Sequence, residues 1–155
     1  MEVEDAEMVG QNEVPSADLG RLTGVWRLRS FSIEAQESGK RMPMFGGASK
    51  GRLVLTESGV LITVITAVNR PIPKTNEDRA VAFNTVIAYT GHFKVKGDEF
   101  TTNVDVSWNE AWTHAPQIRC FRFVGAYLEI LSAWAPNPVD GKSMGRGILE
   151  WERET

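Results

Sequence analysis

From Gly24 onward, apolar and polar residues alternate in short runs, the period of a half-buried strand. Val25 to Glu34, rich in aromatic and branched residues, is the first predicted strand. Gly51–Thr56 and Val60–Ala67 flank Glu57-Ser58-Gly59, a hairpin connection with glycine where a positive φ is needed. Tyr89–Lys96 and Glu99–Trp108 flank Gly97-Asp98, and Gln117–Val124 and Tyr127–Ala133 flank Gly125-Ala126, giving two further hairpins. Gly147–Arg153 completes eight predicted strands. One segment breaks the rhythm. Ala80, Phe83, Asn84 and Ile87 recur at i, i+3, i+4 and i+7 after Thr75-Asn76-Glu77-Asp78, which resembles a capping box. A single short helix of about two to three turns is predicted there. Asn69-Arg70-Pro71-Ile72-Pro73 before it reads as a loop, because the prolines lack backbone donors.

Eight antiparallel strands joined by tight turns leave two bare edges unless the sheet closes on itself. The predicted fold is therefore all-β, an eight-stranded antiparallel up-and-down barrel, whose interior holds one small ligand. A β-sandwich is the alternative. Residues 1–17 carry Glu2, Glu4, Asp5, Glu7 and Glu13, no basic residue and no periodicity, and read as a disordered acidic leader. The folded domain is expected over residues 18–155, opening with one helical turn near Ser16-Ala17-Asp18-Leu19.

The 155 residues amount to about one domain, with 42% hydrophobic and 24% charged residues, a globular composition. Net charge is −3, which argues against nucleic acid or an anionic membrane as partner. No apolar run approaches the ~20 residues of a membrane span, and no signal peptide is visible, so a cytoplasmic location is expected. Cys120, the single cysteine, reads as a small core residue, and no Cys/His cluster has metal-ligand spacing. No metal and no cofactor are expected. Gly-x-Ser-x-Gly, P-loop, Gly-x-Gly-x-x-Gly and His-Glu-x-x-His motifs are all missing.

Leu22-Thr23-Gly24-Val25-Trp26-Arg27-Leu28 resembles the Gly-x-Trp signature on the first strand of lipocalins. Together with Gly51-Arg52-Leu53, Tyr89-Thr90-Gly91-His92-Phe93, Gln117-Ile118-Arg119-Cys120-Phe121 and Leu149-Glu150-Trp151-Glu152-Arg153, it is similar to the bacterial and fungal lipocalin-like domain family over residues 20 to 154. The resemblance implies a barrel with a cup-shaped apolar cavity; some related small barrels act as cyclases or isomerases in natural-product pathways. It also implies that Trp26 plugs the closed end with Arg153, or Arg146, stacked across it, a structural role. Met42 to Gly47 stands where lipocalins carry a lid loop, and reads as a lid over the mouth or as a plain connector. The chain departs from secreted lipocalins in lacking a signal peptide and paired cysteines.

The candidate chemistry concentrates in Asp105-Val106-Ser107-Trp108-Asn109-Glu110-Ala111-Trp112-Thr113-His114, at a strand end and the loop beyond it, a barrel rim. His114 is the candidate proton-transfer residue, with Asp105 or Glu110 to orient it, and Trp108 and Trp112 are ligand-binding candidates. Strand Glu99–Trp108 sets Phe100, Thr102, Val104, Val106 and Trp108 on one side and Thr101, Asn103, Asp105 and Ser107 on the other; either can face the cavity. If the polar side does, Asn103 becomes a ligand-binding group. Tyr89 and His92 are further candidates, and their odd separation sends one of them outside. Arg119 and Arg122 also differ in parity, so at most one points inward, and an inward arginine implies an anionic or carbonyl-bearing ligand. The expected function is cyclisation or isomerisation of a small hydrophobic, polyketide- or terpene-type molecule, mainly by positioning with acid–base assistance. The alternative is a carrier or sensor of such a ligand. The protein is expected to act as a monomer or homodimer.

Overall fold

A computed structural model describes residues 16–138 and 140–154; the acidic segment 1–15 lies outside the described residues. After helix α1 (Ser16–Leu22) come β1 (Gly24–Ala35), a short β2 (Arg41–Pro43), β3 (Ser49–Leu55) and β4 (Val60–Ala67). Helix α2 (Asn76–Asn84) is followed by β5 (Val86–Lys96), β6 (Glu99–Ser107), β7 (Pro116–Val124), β8 (Tyr127–Ser132), a two-residue β9 (Ala135–Pro136) and β10 (Met144–Arg153). The long strands pair antiparallel in the order β1-β3-β4-β5-β6-β7-β8-β10, and β10 pairs back onto β1 from Trp26↔Arg153 to Ala35↔Gly145. The barrel is closed with eight strands, so the edges that eight hairpin-linked strands would expose are used up. Strand β2 takes over the edge of β1 at Ser32–Glu34, beyond the stretch Gly24–Arg27 that pairs with β3.

Inward positions follow the pleat. Leu61, Thr63 and Ile65 of β4, Phe93 and Val95 of β5, Phe100, Thr102 and Val104 of β6, and Phe121 of β7 are all buried. Two bulges reset the parity. Arg29 is the extra residue in β1, so Trp26 and Leu28 face inward before it and Phe31 and Ile33 after it. Asp105 is the extra residue in β6, opposite Thr90-Gly91. The even alternation expected for β6 therefore stops at Val104, and Val106 is turned out to solvent at 63% exposure. Cys120, expected in the core, is exposed because it neighbours the inward Arg119 and takes the opposite face of β7.

The hairpins at 57–59, 97–98 and 125–126 lie at the same end as the start of β1 and the end of β10. Gly97 and Gly125 adopt φ of 62° and 59° there, the left-handed region that tight turns demand. This end is sealed. The Trp26 indole donates from Nε1 to the Leu22 carbonyl at 2.9 Å, and Leu22 is fully buried. Arg153 lies 4.3 Å from the Trp26 ring centroid and donates to the carbonyls of Thr23 and Arg21 at 2.7 and 2.6 Å. A tryptophan so placed closes the floor, while the guanidinium ties the last strand to the end of α1.

Helix α2 has the expected N-terminal signal: Thr75 Oγ1 accepts from the Asp78 N–H, and the Asp78 carboxylate accepts from the Thr75 N–H. Its apolar stripe is not a core face. None of its residues is buried, Phe83 is 46% exposed, and Ile87, assigned to that stripe, belongs to β5. The helix is set by its cap and by the turn at Thr85 rather than by burial.

Candidate functional site

The open end carries the longer connections: 36–48, 68–85, 108–115 and 133–143. Beneath it lies a cavity of about 360 Å³, near the lower end of the range for small-molecule sites. Its walls are mainly apolar, with Phe31, Ile33, Leu61, Ile65 and Leu149 among them and Trp151 at depth. Met44, in the loop placed as a lid by the resemblance, also lines it, and Phe45 beside it packs edge-on to Phe31 at 5.9 Å.

Of the sequence-selected residues, Tyr89, Trp112 and Arg119 line this cavity. Parity explains Tyr89 and Arg119. Residues 87, 89, 91, 93 and 95 of β5 face in, as do 117, 119, 121 and 123 of β7, which sends His92 and Arg122 outside. Trp112 comes from the 3₁₀ turn Glu110–Trp112, which Asn109 caps by accepting from the Ala111 N–H at 3.0 Å. Its ring meets Tyr89 at 5.4 Å on one side and Trp108 at 5.0 Å on the other. Trp108 in turn packs on Phe83 at 6.4 Å and supports the wall from behind.

The proton-transfer candidates fall elsewhere. His114, Asp105, Glu110, His92 and Asn103 are exposed and contribute nothing to the cavity lining. Asp105 is the bulged residue of β6, and Asn103 shares its outward face. His114 has a left-handed backbone, φ 65°, anchored by its N–H donating to the Val104 carbonyl at 2.8 Å. Glu110 accepts from the Thr113 hydroxyl at 3.2 Å, so the loop's acid is engaged locally.

The polar groups that do reach the cavity are few. Thr63 Oγ1 donates to the Arg52 carbonyl, and Ser132 Oγ accepts from the Gly147 N–H while donating to the Ala133 carbonyl. Gln117 Oε1 accepts from Arg119 at 3.0 Å, and Arg119 also donates to the Ile118 carbonyl. The Arg119 guanidinium stands beside the Tyr89 hydroxyl and 6.0 Å from the Trp112 ring. Burial pushes the Tyr89 phenol above its ordinary value, and the charge and hydrogen bond of Arg119 offset part of that rise. Arg146, at the rim, is paired with Glu34 at 3.1 Å and stacked on Trp134 at 4.5 Å.

Trp151, part of the terminal motif Leu149-Glu150-Trp151-Glu152-Arg153, also lines the cavity. It is 2% exposed, and its Nε1 has no hydrogen-bond partner. The alternation Gly145, Gly147, Leu149, Trp151 along β10 was the available signal for its inward direction. Among the described residues no His, Cys, Asp or Glu group is arranged to hold a metal ion, and no helix is long and apolar enough to cross a membrane. Residues 23–154 match the family described as lipocalin-like domain. No curated protein matches the chain.

Proposed function

The chain belongs to the lipocalin-like domain family, and on that premise we propose that it binds a small, largely apolar molecule in the barrel and holds it in the conformer that cyclises or isomerises. The observation that carries the reading is the apolar cavity beneath the open end, with Trp151, whose buried N–H has no partner, among its lining residues. A buried donor without an acceptor costs about 1–3 kcal/mol, and a ligand oxygen removes that cost. Positioning alone lowers barriers by several kcal/mol when the bound pose resembles the reacting one. Acid–base assistance falls to Tyr89, which lines the cavity, rather than to His114, Asp105 or Glu110, which do not. A second reading is a carrier that releases its ligand unchanged. It is favoured by the lining itself, which among the described residues contains no carboxylate and no imidazole.

Native mass spectrometry of the protein with its co-purified ligand, followed by return of that ligand to stripped protein, tests both. Conversion to an isomer or ring-closed product supports the enzyme, and unchanged recovery supports the carrier. Absence of any bound small molecule, together with no saturable binding of a neutral fluorescent probe such as N-phenyl-1-naphthylamine, would overturn the shared premise.

A further inference from the structure

We propose that the cavity's ligand is an elongated apolar molecule with a carboxylate at the mouth, held by Arg119 and Tyr89, and an acceptor oxygen at its far end, held by Trp151. This rests on the small-molecule reading above and specifies the ligand's chemistry. The lining's hydrogen-bonding capacity decides it. Thr63, Ser132 and Gln117 are already engaged within the protein. What is left over is all donor. Trp151 has one buried N–H and no partner. Arg119 has five N–H donors, which Ile118, Gln117 and the Tyr89 hydroxyl do not exhaust.

Charge points the same way. Arg119 is half-buried against an apolar cavity and forms no ion pair among the described residues, whereas the other lining arginine, Arg146, is compensated by Glu34 although its Nε lacks a partner. A guanidinium withdrawn from water gains from an anionic partner, and its planar fork matches a carboxylate. A doubly charged phosphate would call for more than the one arginine without an ion pair that the described residues bring to the lining. Tyr89, beside Arg119, adds a hydroxyl that can donate to the same head group.

Strand register sets the ligand's length. Arg119 stands opposite Ser132 of β8, and Trp151 stands opposite Leu128 of the same strand. The two levels are thus four residues apart, about 13 Å along the strand. A chain of about ten atoms bridges that span, with the aromatic walls of Phe31, Phe100 and Trp112 along it.

The test is displacement of N-phenyl-1-naphthylamine at about pH 7.5 by decanoate, methyl decanoate and 1-decanol. Decanoate should displace the probe at a concentration about tenfold or more below the two neutral compounds, the usual gain of a charge-assisted bond. Arg119→Gln should erase the difference, while Arg122→Gln, on the outward face, should preserve it. In a second arm, 9-oxodecanoate should bind several-fold more tightly than decanoate to the wild type and equally to Trp151→Phe. Equal displacement by acid, ester and alcohol on the wild-type protein would overturn the carboxylate assignment while leaving the small-molecule reading intact. No gain from the keto group on the wild type would overturn the floor assignment. Failure of the probe itself to bind would remove the small-molecule reading and this inference with it.

Discussion

Replacing Trp26 with alanine separates the sealed floor from the open mouth of the barrel. The indole is 2% exposed, bonds the fully buried Leu22 through its Nε1, and carries Arg153 on its face. Removing a buried large aromatic costs about 3–5 kcal/mol. The Leu22 carbonyl then loses its partner, about 1 kcal/mol more, and the exposed Arg153 contact adds ~0.5–1 kcal/mol. These overlap, so the expected loss is about 4–6 kcal/mol, or roughly 10–20 °C in Tm for a chain of this size. Because a domain of 5–15 kcal/mol total stability can unfold under such a loss, Trp26→Phe is the companion variant. It keeps a ring, drops the hydrogen bond and should lose about 1–2 kcal/mol. Trp112→Ala, at the half-buried mouth, should also lose only about 1–2 kcal/mol yet weaken probe binding about tenfold. Urea unfolding followed by circular dichroism gives the stabilities, and N-phenyl-1-naphthylamine titration gives the affinities. The assignment of floor and mouth is refuted if Trp26→Ala and Trp112→Ala are equally destabilising, or if Trp26→Phe impairs the probe as much as Trp112→Ala does.

Gly91→Ala should cost more than about 3 kcal/mol, because the new Cβ would overlap the Asn103 carbonyl and backbone of β6 at the bulge; soluble protein with an unchanged urea midpoint would contradict that close approach. Thr102→Val should stabilise by about 1 kcal/mol, since the fully buried hydroxyl has no partner and its replacement keeps the shape; a fall in Tm would mean the hydroxyl is satisfied. The Tyr89 phenol is raised above its unfolded value of ~10. Its contribution to stability is therefore complete below about pH 10 and is lost as pH rises through the folded value, because the unfolded chain ionises first. Urea midpoints between about pH 9 and 11 should fall less steeply in Tyr89→Phe than in the wild type, and parallel curves would place the hydroxyl in open water.

The eight long strands, their three glycine hairpins and the capped helix are legible along the chain because each is specified locally, by period-two alternation, by positive-φ glycines and by Thr75 with Asp78. Closure is legible too, as the remedy for bare edges. Strands β2 and β9 are too short to show a period, and they exist because the long strands beside them offer unpaired edges.

Alternation sorts residues into two sets but does not say which set is inside. Arg119 and Arg122, or Tyr89 and His92, were separable in the sequence, while their directions were set by the closed barrel turning its apolar face inward. The bulges at Arg29 and Asp105 could not be read either, because an inserted residue is visible only against the partner strand. That is why Val106 and Trp108 left the inner row, and why the acidic and histidine side chains around the 108–115 loop ended up outside the cavity. The sequence by itself determined the strands and their hairpins, since those follow from neighbours along the chain, whereas the sealing role of Trp26 came with the family resemblance. Only the tertiary structure decided that Trp151, Tyr89 and Arg119 share one cavity. Their meeting depends on the register among β5, β7, β8 and β10, a long-range quantity that no local pattern encodes.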